Sequence, residues 1–153
     1  MRARFAAGSI LGIGVLLAGG KLSLIDTALA DDRRCSSASV SGTYAVYGQG
    51  TVFVGSPPRA ALEVDVGLAT IDGKGNMAGS LTFSFNGKIF RTAYTGQYLV
   101  NSDCTISISI DDDLGEHLQQ EGVVLERGDE IRFIGTDPGR VIARVAKRLQ
   151  SEH

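Results

Sequence analysis

The chain has 153 residues, of which 43% are hydrophobic and 21% are charged, with 20 Gly, 3 Pro, 2 Cys and no Trp. This is the composition of an ordinary globular protein, so it excludes a disordered or collagen-like chain, and the length predicts one domain. Fifteen basic against 17 acidic residues give a formal net charge of −2. No basic face points to a nucleic-acid partner.

Residues 1–30 have the three-part layout of a secretory signal peptide. Arg2 and Arg4 precede an apolar run over residues 5–20, and Ala28-Leu29-Ala30 supplies the small residues of a cleavage site. The run is shorter than the roughly 20 residues that a membrane-spanning helix requires, which favours cleavage over an uncleaved anchor. We therefore expect a periplasmic or secreted protein that is not integral to a membrane after cleavage.

The expected mature domain, residues 31–153, carries 12 basic and 16 acidic residues, a net charge of −4. It contains both cysteines, Cys35 and Cys104, and export would place them in an oxidising compartment where two cysteines usually pair. The alternative is a pair of free thiols, one of them catalytic. Neither cysteine lies in a C-x-x-C motif and no His is near in sequence, so we predict a structural disulfide.

From residue 41 onward, the sequence predicts short strands separated by turns. Apolar residues recur at every second position, which is typical of a strand with one apolar face, and helical periodicity is almost absent. The segment after Asp137-Pro138-Gly139 fits a strand or a short helix. Two hairpin turns are predicted, at Asp72–Asn76 and at Asn86-Gly87. The predicted strands are centred on residues 43–54, 62–68, 77–85, 90–100, 104–110, 118–125, 131–133 and 141–146.

The connections are too short for parallel crossovers, so the fold class is all-β with an antiparallel, up-and-down arrangement of about eight strands. A closed, lipocalin-like barrel removes both sheet edges and is the preferred architecture. A two-sheet β-sandwich is the alternative. An outer-membrane barrel is less favoured, because the chain has no Trp for aromatic girdles and ends in a polar tail.

Three blocks carry a resemblance: Gly42-Thr43-Tyr44, Asp72-Gly73-Lys74-Gly75-Asn76, and the run from Gly96 to Thr105. Together they resemble small exported bacterial proteins that share G-T-Y, D-G-x-G-N and G-x-Y-x-V-N-x-D-C-T blocks and have no assigned activity. The resemblance covers about residues 40–110. It implies a lipocalin-like or allene-oxide-cyclase-like barrel and implies no catalytic residues.

Motifs of catalysis and metal binding are weak. A Ser-His-acid triad would have to use His117, and no G-x-S-x-G nucleophile elbow is present. With the cysteines paired, too few ligands remain for zinc. Residues 111–113, all Asp, form with Glu116 a weak calcium candidate, for which a solvated turn is the preferred interpretation. We expect no metal and no cofactor.

Glu63 and Asp65 are two residues apart on one strand and therefore share a face. That face is the polar one, so we expect both carboxylates to point to solvent. If this strand were turned over locally, they could instead line a pocket as an acid–base pair.

The aromatic residues converge on the predicted inner face of the barrel. Their function is either core packing alone or the lining of a cavity for an apolar ligand. The leading hypothesis is a non-catalytic protein that binds a small hydrophobic molecule in its lumen. The alternatives are a structural or envelope-interaction protein with a filled core, and a cyclase or isomerase by analogy of fold. The candidate ligand-binding residues are Tyr44, Phe83, Phe85, Phe90, Tyr94 and Tyr98.

Overall fold

The computed structural model describes residues 35–150, and the predicted signal peptide lies outside these described residues. Eight antiparallel strands pair in sequence order, and the last pairs with the first, which closes a barrel. The closure confirms the up-and-down barrel and excludes the sandwich. The strands are β1 (Gly42–Val54), β2 (Arg59–Ile71), β3 (Asn76–Phe85), β4 (Lys88–Val100), β5 (Thr105–Asp112), β6 (His117–Leu125), β7 (Glu130–Gly135) and β8 (Arg140–Arg148).

Both predicted hairpin turns are confirmed. Asn86 and Gly87 link β3 to β4 with φ angles of 46° and 83°, the left-handed conformations that a two-residue hairpin of this kind requires. In the β2–β3 loop, Asp72 Oδ1 accepts the backbone N–H groups of Lys74 and Asn76 at 2.7 and 2.9 Å. The local side-chain bonds of Asp72 therefore set the geometry of this loop.

One end of the barrel, which we call the capped end, is covered by a 3₁₀ segment at Ser37–Val40. Tyr44 Oη donates hydrogen bonds to the carbonyl oxygens of Val40 and Gly128 at 2.9 and 2.6 Å, and Tyr98 Oη donates to that of Ser37 at 3.2 Å. The predicted disulfide between Cys35 and Cys104 is present in the structure. It joins the residues before the cap to the turn between β4 and β5.

The hydrophobic core fills the capped half of the lumen. Its most deeply buried members include Tyr44, Ile106 and Ile131, and Val40 of the cap packs on them. Closing the barrel over this end removes a large apolar area from water. The other end, where the β1–β2, β3–β4, β5–β6 and β7–β8 turns lie, is the open end.

The prediction that Glu63 and Asp65 point to solvent is wrong. Both are buried in the lumen, with side chains 7% and 0% exposed, while Leu62 and Val66 point outward and are 67% and 52% exposed. The register decides this. Side chains alternate strictly along a strand, so burying Ile71 at the capped end turns the odd-numbered residues from Ala61 to Ala69 inward as well.

Candidate functional site

The open half of the lumen contains a cavity of about 240 Å³. Beneath it, a space of only about 30 Å³ remains in the packed, capped half. Leu81, Tyr94, Ile110 and Arg144 line both spaces and therefore form the floor of the upper cavity. The cavity is slightly smaller than the roughly 300–1,000 Å³ typical of ligand sites, and it suits a small molecule.

One side of the cavity is apolar. Phe83 of β3 and Phe90 of β4 face each other across the hairpin as register partners, with stacked rings whose centroids are 5.1 Å apart. Phe85 continues this wall toward the rim, and Leu114 and Leu118 of the β5–β6 hairpin lie in the lining as well. Phe90 is exposed at the mouth, so an apolar ligand would cover aromatic surface that is now in contact with water.

The rest of the lining carries a set of charged groups that we call the carboxylate–arginine cluster: Glu63, Asp65, Glu116, Arg140 and Arg144. Two of them adjoin the aromatic wall directly, because Asp65 and Glu63 are the register partners of Phe83 and Phe85. Arg144 Nη2 lies 2.8 Å from Asp65 Oδ2 and 3.1 Å from Glu63 Oε1. Arg140 bonds Glu116 at 2.9 Å, and its Nη1 lies 3.9 Å from Glu63 Oε2. Ion pairs thus run from Arg144 at the floor of the cavity, through Glu63 and Arg140, to Glu116 at its rim.

A residue without a side chain, Gly48, makes room for this cluster. Gly48 of β1 is the register partner of both Asp65 on β2 and Arg144 on β8. A Cβ atom at Gly48 would lie 2.6 Å from Asp65 Oδ1 and from Arg144 Cγ. Gly50, the partner of Glu63, lies one step closer to the rim. The Arg144–Asp65 ion pair therefore passes over β1 through space that any residue larger than glycine at position 48 would occupy.

Burial changes the acidity of two groups in the cavity. It raises the pKa of Glu63 above its ordinary value, mainly because the anion loses water, although Arg144 and Arg140 act in the opposite direction. It also raises the pKa of Tyr94 to about 12, again chiefly by desolvation. Tyr94 Oη donates to the carbonyl oxygen of Leu68 at 3.3 Å. The Tyr94 hydroxyl thus stays protonated at the floor.

The six candidate ligand residues separate into two groups. The structure places Phe83, Phe85, Phe90 and Tyr94 on the cavity. Tyr44 and Tyr98 lie at the capped end, where their hydroxyls donate to backbone carbonyls. Neither of these two lines the cavity, so contact with a ligand there would require the capped end to rearrange.

Arg140 and Arg144 were not among the predicted site residues. A signal was present, because Arg140, Ile142, Arg144 and Ala146 occupy alternate positions of one strand and Ile142 and Ala146 are suited to burial. An arginine on such a face requires a buried acid as partner. Glu63 and Asp65, two residues apart on β2, are such partners because that strand turns them inward.

Hydrogen bonds from backbone N–H groups to an aspartate side chain fix the acidic turn at the end of β5. Asp112 Oδ1 accepts the N–H groups of Leu114 and Glu116 at 3.0 and 2.8 Å, and Asp111 Oδ1 lies 2.7 Å from His117 Nδ1. Among residues 35–150, no group of three or more His, Cys, Asp or Glu side chains is placed to hold a metal ion.

Comparison with models of protein families, with curated proteins and with solved structures finds no match to this chain. In the part of the chain that the structure describes, no helix has the length and hydropathy needed to cross a membrane.

Proposed function

We propose that this protein is an exported, non-catalytic binding protein whose lumen takes up one small hydrophobic molecule at the open end. The observation that carries the proposal is the cavity of about 240 Å³ with its wall of Phe83, Phe85 and Phe90. A barrel selected only for stability would bury these rings against other side chains rather than leave aromatic surface in contact with water. The disulfide supports export, because such bonds persist mainly outside the reducing cytosol.

The first experiment identifies the native ligand. The mature domain is purified from the periplasm, denatured, and its organic extract is analysed by mass spectrometry. We expect one apolar compound in stoichiometric amount. An empty extract, together with no displacement of an environment-sensitive naphthalene dye by a panel of hydrophobic compounds, would contradict the proposal.

A matched pair of variants assigns the binding to the lumen. Leu118 and Val123 lie on the same strand, β6, but Leu118 lines the cavity whereas Val123 points to solvent and is exposed. Leu118→Trp puts an indole into the cavity and should abolish binding, and Val123→Trp should bind as the natural protein does. Equal binding by both variants would place the ligand elsewhere.

A second function, acid–base isomerisation, is favoured by one specific observation. Glu63 is a buried carboxyl on the cavity wall, and its pKa is raised, as a general acid or base requires. Incubating the extracted ligand with protein in deuterated water distinguishes the two functions. Recovery of unlabelled, unchanged ligand supports binding alone, and deuterium incorporation that Glu63→Gln abolishes supports proton transfer.

A further inference from the structure

The charged side of the cavity has more acid than base. Its lining holds four carboxylates and two guanidiniums, from Glu63, Asp65, Asp112, Glu116, Arg140 and Arg144. Both arginines are already engaged, Arg144 with Asp65 at 2.8 Å and Arg140 with Glu116 at 2.9 Å. An anionic head group would therefore meet excess negative charge in a partly dehydrated site, whereas a cation would be attracted.

One carboxylate oxygen of this wall has no partner. Arg144 Nε donates to Asp65 Oδ2, Nη2 lies 2.8 Å from the same oxygen, and Asp65 Oδ1 is buried without a hydrogen bond. A buried acceptor without a donor is costly, and the cost is removed when a donor is supplied. An ammonium group offers three donors and no acceptor, which suits a wall of carboxylates.

Building on the proposed lumen site, we propose that the ligand is a small hydrophobic amine. Its apolar body packs on Phe83 and Phe90, and its protonated amino group lies against the carboxylates of Asp65 and Glu63. The fatty acids that a hydrophobic barrel could otherwise hold would be rejected by the same charges. The amine also brings one positive charge to a lining that has a formal excess of two negative charges.

The test compares head groups on one body. Phenethylamine, phenethyl alcohol and phenylpropionate share the phenylethyl group, and octylamine, octanol and octanoate repeat the comparison on an alkyl chain. Each is titrated into the mature domain at neutral pH by calorimetry. We expect the amine to bind about tenfold more tightly than the alcohol and the carboxylate to bind most weakly.

The outcomes separate this inference from the proposed function. If the alcohol or the carboxylate binds as tightly as the amine, the lumen binds hydrophobic molecules but the amine assignment is wrong. If none of the six compounds and nothing in the native extract binds, the proposed function itself fails.

Two variants locate the effect. Glu116 is exposed at the rim, so Glu116→Gln should fold normally and reduce the preference for the amine by roughly threefold. Glu121→Gln, on the outer face of the neighbouring β6, should leave the preference unchanged. A preference that is the same in both variants would overturn the assignment to this wall.

A second, independent observation concerns the outside of the barrel. Over the segments 141–145 of β8, 45–53 of β1, 60–70 of β2 and 78–84 of β3, no outward-facing residue is charged. We call these outward-facing residues the outer patch. Its centre is a row of exposed aliphatic side chains: Leu62, Val64, Val66 and Leu68. Contiguous apolar surface of this kind marks an interaction site.

The composition of the outer patch favours protein over lipid as its partner. The aliphatic row has Gln49 and Thr51 beside it on β1, between the exposed rings of Tyr47 and Phe53, and Ser80 and Thr82 beside it on β3. Amide and hydroxyl groups can be satisfied at a protein interface but are costly in hydrocarbon. The patch also has no basic residue that would attract an anionic membrane.

We infer that the outer patch binds a second copy of this chain. Strand segments spaced about 4.8 Å apart, from about 17 Å long on β8 to about 36 Å on β2, cover roughly 500 Å² per copy, or about 1,000 Å² in a pair, which is the smallest area expected of a biological interface. An uncharged patch meets its own copy without repulsion, despite the expected net charge of −4 for the mature domain.

Light scattering after size-exclusion chromatography tests this inference. The mature domain should be a concentration-dependent dimer, and Val66→Lys should weaken the dimer at least about tenfold because it buries an unpaired charge. Ser107→Lys, on the outward face of β5, is the matched control and should leave the dimer intact. Circular dichroism confirms that both variants fold. A monomer at every concentration, a dimer that survives Val66→Lys, or a monomer that binds neutral phosphatidylcholine vesicles would overturn the inference.

Discussion

Arg144 and Asp65 form a buried ion pair across a strand that separates them. Arg144 lies on β8 and Asp65 on β2, and both are register partners of Gly48 on β1. Arg144 Nη2 and Asp65 Oδ2 are 2.8 Å apart, directly over the glycine. The pair therefore depends on a third residue whose only contribution is to have no side chain.

Gly48→Ala should destabilise the barrel by about 1–3 kcal/mol, because the new methyl group would overlap the Asp65 carboxylate and the Arg144 stem. Urea unfolding measures the change. Gly135→Ala is the control, since a Cβ atom there meets only Arg140 Cβ at 3.9 Å. Equal losses in the two variants would show that crowding at Gly48 is not the cause.

Arg144→Met should cost about 3–5 kcal/mol at neutral pH, because it leaves Asp65 and Glu63 buried without their main counter-ion. The loss should shrink in acid, where Glu63, whose pKa is raised by burial, gains a proton. Arg132→Met removes an exposed partner of Glu130 and should cost less than about 1 kcal/mol. Urea titrations over a pH series check both statements, and a loss in Arg144→Met that does not change with pH would contradict the first.

Glu63 makes the stability of the barrel depend on pH in a defined direction. Its folded pKa is raised above the ordinary value of 4.5, so the folded state binds the proton more tightly than the unfolded state. The contribution is complete below about 4.5 and is lost as the pH rises through the folded pKa. Glu63→Gln should remove this fall from the stability curve, and Glu121→Gln should retain it.

Acids whose pKa is lowered in the folded state have the opposite effect on the pH dependence of stability. Hydrogen bonds lower the pKa values of Asp72 and Asp103, so their contributions are lost as the pH falls. They are present in both variants and cancel when the Glu63→Gln and Glu121→Gln curves are subtracted. A difference curve that is flat above pH 4.5 would show that Glu63 is not perturbed.

Tyr44→Phe should destabilise the capped end by about 1–3 kcal/mol, because the carbonyls of Val40 and Gly128 lose a buried donor. Tyr94→Phe breaks one long bond at 3.3 Å and should cost less. Tyr94→Phe should reduce ligand affinity more than Tyr44→Phe does, since of these two residues only Tyr94 lines the cavity. Unfolding and ligand titration of both variants test this separation, and a loss of affinity in Tyr44→Phe alone would refute it.

Local patterns in the chain predict the strands, the turns and the disulfide well. Asn86-Gly87 marks a hairpin because few other dipeptides adopt two left-handed conformations at low cost. Alternation of apolar residues marks strands because side chains point to opposite faces with period two. These signals depend on neighbours in sequence, so they can be recognised without the fold.

The direction in which β2 faces could not be predicted in the same way. Leu62, Val64 and Val66 form the more apolar face of this strand, yet they point outward, and Glu63 and Asp65 point inward. The acids are tolerated inside because Arg144 reaches them from a strand that follows about 80 residues later. Such a partner is not visible until the barrel closes.

The sequence alone thus determines an all-β chain of eight strands with one disulfide, because turns, alternation and cysteine number are local or compositional properties. Only the tertiary structure decides that β1 pairs with β8, and this pairing brings Arg144 over Gly48 to Asp65. The same closure leaves the cavity above Tyr94 unfilled and sets the aliphatic row of β2 on the outside. Which face of a strand is buried depends on the sum of contacts around the whole barrel, and a single strand does not contain that information.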